Sequence, residues 1–263
     1  MAMGNLNGLV AVITGGSKGI GEATARRLAA DGADVVLAAR TQENLDATAS
    51  SIAADTGRRV ETVAVDLKTS EGAEQLHAAA TSAFDSIDIL VNNAGDTKAG
   101  PFLELDDEVW LDGFALKFHG AVRVSRLFWP NLVESSGAVV NVIGGLARTP
   151  APDIMIGSAV NAALANFTKA LAGMGLRDDV NVNAVLPGQT VTERLDTILK
   201  KRAAGAGVTP EEFQQGLVDK QGVRRLGQPE DVAATIAFLC SSEARHVQGV
   251  SIAIDGGATK GLF

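Results

Sequence analysis

The segment Thr14–Gly21, TGGSKGIG, is the first stretch able to do specific chemistry. Glycine at 15, 19 and 21 lets the backbone turn tightly and approach a ligand's diphosphate closely. An apolar run precedes it and an amphipathic run follows, so the turn opens a helix whose first N–H groups face the anion. Strand, turn and helix in that order favour a dinucleotide site over a plain structural turn. The end of the second strand decides which dinucleotide. An acidic residue there would bond a ribose 2′-hydroxyl. The chain reads Ala38-Ala39-Arg40 instead. Arg40 offers a planar fork for a 2′-phosphate, and Lys18 inside the turn is a second cation. Either alone is as readily a solvated surface charge. Together, with the acid missing, they favour NADP(H).

The elements that must position these residues follow from the apolar pattern. Leu9–Thr14, Asp34–Arg40, Val60–Asp66, Ile87–Gly95, Gly137–Gly144, Val180–Gly188 and Gly249–Asp255 read as strands. They are almost continuously apolar, as strands buried on both faces are. Segments such as GIGEATARRLAADG between them carry apolar residues at helical spacing. The alternation predicts an α/β fold: a single Rossmann-type domain, residues 1–263, with a doubly wound parallel seven-stranded sheet and helices on both faces. The polar stretch Thr192–Gly227 interrupts the pattern before the last strand. It is expected to be a substrate lid over the C-terminal edge of the sheet, where ligands of such folds bind.

Composition excludes several classes. A net charge of −8 over 263 residues argues against nucleic acid or an anionic membrane as partner, since both need a basic footprint. It leaves room for a small molecule held by local charges. The single cysteine, Cys240, can form no internal disulfide and reads as a small apolar helix residue. His77, His119 and His246 lack ligand spacing, so no metal site is expected. The apolar run GLVAVITGG is too short and glycine-rich for a membrane span and lacks a basic leader, so a cytoplasmic location is expected.

With these motifs in order, the chain resembles the short-chain dehydrogenase/reductase family over essentially its whole length. Beyond TGGSKGIG, the likeness rests on VDL at Val65–Leu67, NNAG at Asn92–Gly95, Pro187-Gly188, and the closing Arg224–Gly257. It implies a cofactor site formed by Thr14, Gly15, Ser17, Lys18, Gly19, Ile20, Gly21, Arg40, Asp66, Leu67, Asn93, Ala94, Gly95, Pro187, Gly188, Thr190 and Thr192. Taken singly, Asp66 could simply cap a helix and Pro187-Gly188 could be a plain turn, but finding all the motifs in family order argues against those readings as the whole story. The resemblance also implies a homotetramer or homodimer. The apolar segments Asn161–Ala172 and IAFLCSS would suit such interfaces, or the core.

The family's chemistry uses a tyrosine acid/base, a lysine four positions later, a serine about thirteen earlier, and an asparagine on the preceding long helix. This chain contains no tyrosine. The register of NAALANFTKALA places Gly157 at the tyrosine, Asn161 at the lysine and Gly144 at the serine, and WLDGFALKFHG places Lys117 at the asparagine. Lysine and asparagine have exchanged places. The two glycines are expected to leave a void the size of the missing side chains, bordered by Asn161 and open to water or a different substrate group. Lys117, beside that void, is a candidate for the missing cation and acid, with its pKa lowered by burial. Its alternatives are to snorkel to solvent or to pair with Asp112. Ser158, His119, Asp153, Arg148 and Asn141 are weaker candidates.

Three functions are compatible with this pattern. The first is an atypical oxidoreductase that moves a hydride between NADP(H) and a carbonyl or alcohol small molecule without the usual tyrosine. The second is a catalytically silent NADP(H)-binding sensor or partner subunit. The third is lyase or isomerase chemistry with Lys117 as base.

Overall fold

Alternate residues of each inner strand bury themselves on opposite faces of one sheet. The computed structural model describes residues 5–261. Its strands are β1 Val10–Thr14, β2 Asp34–Ala39, β3 Val60–Ala64, β4 Ile89–Asn92, β5 Ala138–Val142, β6 Asn181–Pro187 and β7 Ser251–Ile254. All seven are parallel, in the order β3-β2-β1-β4-β5-β6-β7. Val12 stands opposite Val36 on one side and Leu90 on the other. The strands start up to two residues later and end up to three residues earlier than the apolar runs that announced them; β1 keeps its run's end, and β2 and β3 keep their run's start.

The helices between them are α1 Gly19–Ala30, α2 Gln42–Thr56, α3 Ser70–Ala83, α4 Asp107–Phe114, α5 Ala121–Glu134, α6 Met155–Asp178, α7 Glu193–Ala206, α8 Pro210–Gln221 and α9 Pro229–Leu239. On one face Ala11, Ile13, Val35 and Leu37 pack with Leu28 of α1, Ile52 of α2 and Ile236 of α9. On the other, Val10, Val12, Val36 and Leu90 pack with Leu76 of α3 and Phe128 of α5. This two-sided burial is why the strands read as unbroken apolar runs rather than alternating ones. Helix α6 has the length and hydropathy of a membrane span, yet it lies against β6 and buries Leu164 with Ala184 and Leu186 in a third apolar cluster. It is a core helix of this sheet.

Two departures from regular structure matter for the site. Between α4 and α5 the chain adopts a π-helical stretch, Ala115–Gly120, which re-aims the side chains of its one extra-wide turn. Thr192–Gly227 forms α7 and α8, which pack on each other. Its base is closed where Thr190 bridges Gly227 and the Gly227 N–H donates to the Gln189 carbonyl at 2.9 Å.

Candidate functional site

The Gly-rich turn is built as its spacing requires. Gly19 opens α1 with φ +56°, a left-handed conformation that a side chain would strain. A Cβ on Gly21 would stand 2.1 Å from the Gly15 carbonyl oxygen, so the helix can pass over the turn only without one. The turn is tied to β4 by side chains. The Thr14 hydroxyl accepts from the N–H groups of Asn93 and Ala94, and the Asn93 amide donates to the carbonyls of Thr14 and Gly15 at 3.0 and 3.1 Å. The first turn of α1 carries no side-chain cap, which leaves its N–H groups free for an anion.

Two clefts meet at the C-terminal edge of the sheet. One, of about 640 Å³, is lined by Gly15, Lys18, Gly19, Ile20, Asn93 and Ala94 together with Thr192. The other, of about 910 Å³, lies farther out and is lined by Thr97, Leu146, Ile154 and Asn161 together with α7. Gly95, Lys117, Gly144, Pro187, Gly188 and Arg194 border both. Of the residues expected to bind a cofactor, ten border a cleft. Thr14, Ser17, Gly21, Arg40, Asp66, Leu67 and Thr190 border neither. Thr14, Leu67 and Thr190 are buried as packing or turn supports. The Ser17 carbonyl accepts from Thr48. The Asp66 carboxylate accepts from the Lys68 N–H, a local turn rather than a helix cap, since Thr69 caps α3. Arg40 is exposed after β2 and makes no ion pair among the described residues. Lys18 points to Glu193 at the start of α7, 2.9 Å away. Both are more than half exposed, so the pair is weak and easily exchanged.

Lys117 lies in the π-helical stretch, half-buried, and its ammonium donates to the Ile143 carbonyl at 3.3 Å. Burial first, and the nearby Arg194 guanidinium second, lower its pKa from 10.5 to about 8. Asp112 is not its partner. That carboxylate is held by Lys68 at 2.5 Å.

The four tetrad positions come together only in part. Gly144 and Asn161 border the outer cleft, and a Cβ on Gly144 would stand 3.2 Å from Asn161 Oδ1. Asn161 donates from Nδ2 to the Gly157 carbonyl at 2.6 Å, one turn back in α6, while its buried Oδ1 has no partner. Gly157 borders neither cleft, and the space immediately at its Cβ position is occupied. A Cβ there would meet Ile154 Cγ2 at 2.9 Å and Thr97 Oγ1 at 3.1 Å. Thr97, Leu146 and Ile154, which crowd that position, themselves line the outer cleft, so the open volume begins on their far side.

The weaker candidates are occupied elsewhere. Ser158 is buried between the Ile154 carbonyl and the Ala151 N–H. Asn141 joins Asn92 and Thr168 in a buried hydrogen-bonded chain. His119 packs edge-on against Phe118, Arg148 donates to the Ser251 carbonyl, and Asp153 stands 4.0 Å from Arg202. The residues the sequence reading passed over are Arg194, Ile198, Lys201 and Arg202, which line the outer cleft from one face of α7. The available signal was helical spacing about Ile198, with Arg194 four residues before it and Lys201 and Arg202 three and four after.

The enoyl-(acyl carrier protein) reductase family model matches residues 15–259. The chain belongs to the short-chain dehydrogenase/reductase family. It is 36% identical to an uncharacterised oxidoreductase of Mycobacterium tuberculosis, over 98% of this chain and 94% of the relative. The fold superposes on L-sorbose reductase from Gluconobacter frateurii, solved with NADPH and L-sorbose, with a TM-score of 0.95, 35% identity and full coverage of both chains. It also superposes on an NADPH-bound short-chain oxidoreductase of Pseudomonas aeruginosa, described as containing an atypical catalytic centre. There the TM-score is 0.88 with 30% identity, over 96% of this chain and 97% of the other. The chain is an oxidoreductase by this membership, and its seven-stranded parallel sheet is the family's.

Proposed function

We propose that the chain is an NADP(H)-dependent oxidoreductase acting on a carbonyl or alcohol substrate, with Lys117 as the group that meets the reacting oxygen. The observation that carries the proposal is the position of Lys117. Its half-buried ammonium stands where the inner and outer clefts join, with a pKa lowered to about 8.

The inner cleft fits a dinucleotide. Gly15 and Gly19 line it, α1 crosses the turn behind them with no room for a Cβ at Gly21, and the N–H groups opening α1 are uncapped. Lys18 and Arg40 stand at the same sheet edge and would hold a 2′-phosphate, Lys18 by leaving its exposed partner Glu193. The NADPH in the two solved neighbours supports that choice of cofactor. When bound, the nicotinamide supplies or accepts the hydride.

The chain's own residues have the remaining work. The Lys117 ammonium donates to the substrate oxygen, opposes the negative charge that develops there, and gives up a proton from Nζ. With a pKa near 8 the group holds its proton at neutral pH and releases it at modest cost. The unpartnered Oδ1 of Asn161 accepts a hydrogen bond from the substrate or from a water that orients it. Helices α7 and α8 act as the lid, keeping water from the junction.

The test is direct. The purified protein is titrated with NADPH, and its oxidation is followed with a panel of ketones and aldehydes. Turnover that Lys117→Met abolishes while NADPH affinity is kept supports the proposal. Tight NADPH binding with no turnover of any carbonyl or alcohol assigns the chain to the silent binding class, which the loss of both hydroxyl donors at Gly144 and Gly157 would then explain.

A further inference from the structure

The outer cleft is positively charged in an otherwise acidic protein. The whole chain carries −8, yet the cleft is lined by Lys117, Arg194, Lys201 and Arg202 against the carboxylates of Asp96 and Asp255 alone. Those two carboxylates are occupied. Asp96 pairs with Arg194 at 2.9 Å, and Asp255 accepts from the N–H groups of Gly257 and Thr259. At the far end of the cleft, Lys201 makes no ion pair or hydrogen bond among the described residues, and Arg202 reaches Asp153 only at 4.0 Å. Between the two charged ends of α7 stands Ile198, 37% exposed and facing the same cleft. The face therefore reads cation, apolar, cation pair.

Helical rise puts Arg194 and Lys201 roughly 10 Å apart along the axis. Arg194 stands beside Lys117 at the junction, so Lys201 and Arg202 mark the end of the cleft away from it. We infer that the substrate is an elongated carbonyl compound with an anionic group, a carboxylate or a phosphate, at its far end. The carbonyl oxygen meets Lys117, a short apolar stem lies along Ile198, and Lys201 with Arg202 hold the anion. A guanidinium fork beside an ammonium suits either anion. This rests on the oxidoreductase reading above for the carbonyl end and on α7 alone for the anionic end.

Straight-chain oxo acids from laevulinate upward, each compared with its methyl ester, test it at low ionic strength, where exposed cations act most strongly. The expected result is a kcat/KM for the longer acids at least ten-fold above that for their esters. The Lys201→Gln/Arg202→Gln variant lowers this ratio at least five-fold. Lys200→Gln, exposed on the same helix and outside both clefts, leaves it unchanged. Equal rates for acid and ester, or a ratio that survives the double substitution, overturns the inference. Replacing carboxylates by phosphate monoesters of the same length tells which anion is preferred. Should no compound be reduced, the oxidoreductase reading fails by itself. Calorimetric titration of an oxo acid into the NADPH-loaded protein then decides the anion site. Binding that the double variant loses supports it, and no binding refutes it.

Discussion

The Lys117 ammonium donates to the Ile143 carbonyl at 3.3 Å, one residue before Gly144, where relatives of the resembling pattern carry a hydroxyl. The contact holds the amine at the cleft junction with one neutral acceptor and no carboxylate partner. A cation in that setting is costly to bury and useful for handing on a proton.

Lys117→Met is expected to raise stability while removing turnover. The folded state lowers the amine's pKa from 10.5 to about 8, so the fold disfavours the ammonium. Below about pH 8 both states are protonated and the penalty is full. Between about 8 and 10.5 the folded amine is neutral while the unfolded one is charged, and the penalty shrinks; above 10.5 it is gone. Methionine relieves it, a gain on the order of 1–3 kcal/mol at pH 7 once solvent access through the cleft is allowed for. Urea unfolding of both proteins at pH 7 and pH 10.5 should show a gain at the first and none at the second.

Reduction by the native protein should lose rate as pH rises through about 8, because the donor is then deprotonated. The reverse oxidation should gain rate over the same range. A pH profile of kcat/KM flat from 7 to 9.5 would remove Lys117 from the proton transfer.

Arg40→Glu should lower the preference for NADPH over NADH by roughly ten- to a hundred-fold, chiefly through KM, since a fork matched to phosphate becomes a carboxylate that repels it. Paired kinetics with the two cofactors check this. An unchanged ratio would place Arg40 outside the cofactor site.

Restoring side chains at the two glycines should not restore the family's usual chemistry. Gly157→Ala presses a methyl against Ile154 and Thr97 and is expected to cost about 1–3 kcal/mol despite alanine's better helix propensity. Gly157→Tyr should destabilise further. Gly144→Ser, whose Cβ meets only the Asn161 amide at 3.2 Å, should be tolerated. Thermal melts of the three variants rank them.

Cys240 should be inert. It is buried at the end of α9, and burial pushes its thiol up to about 12. Iodoacetamide at pH 8 should leave it unmodified in the folded protein and alkylate it in denaturant, as mass spectrometry would show.

The sequence by itself determined the sheet and the Gly-rich turn after its first strand. Two-sided burial writes itself as unbroken apolar runs, and a turn that excludes a Cβ at Gly21 writes itself as glycine. Both are local constraints, so Val10–Thr14 and Gly15–Gly21 were legible without neighbours. Tertiary structure decided what became of the altered tetrad. Nothing in the spacing of Gly157 says that Thr97 and Ile154 crowd its Cβ position, because that depends on how the Thr97 loop closes on the start of α6. Nor does it say that a π-helical turn carries Lys117 to the Ile143 carbonyl, or that α7 folds back to set Arg194, Lys201 and Arg202 across from it. Ile154 apart, these contacts join segments from 26 residues apart (Lys117 and Ile143) to 98 (Asp96 and Arg194), and only the packed fold brings their charges into one cleft.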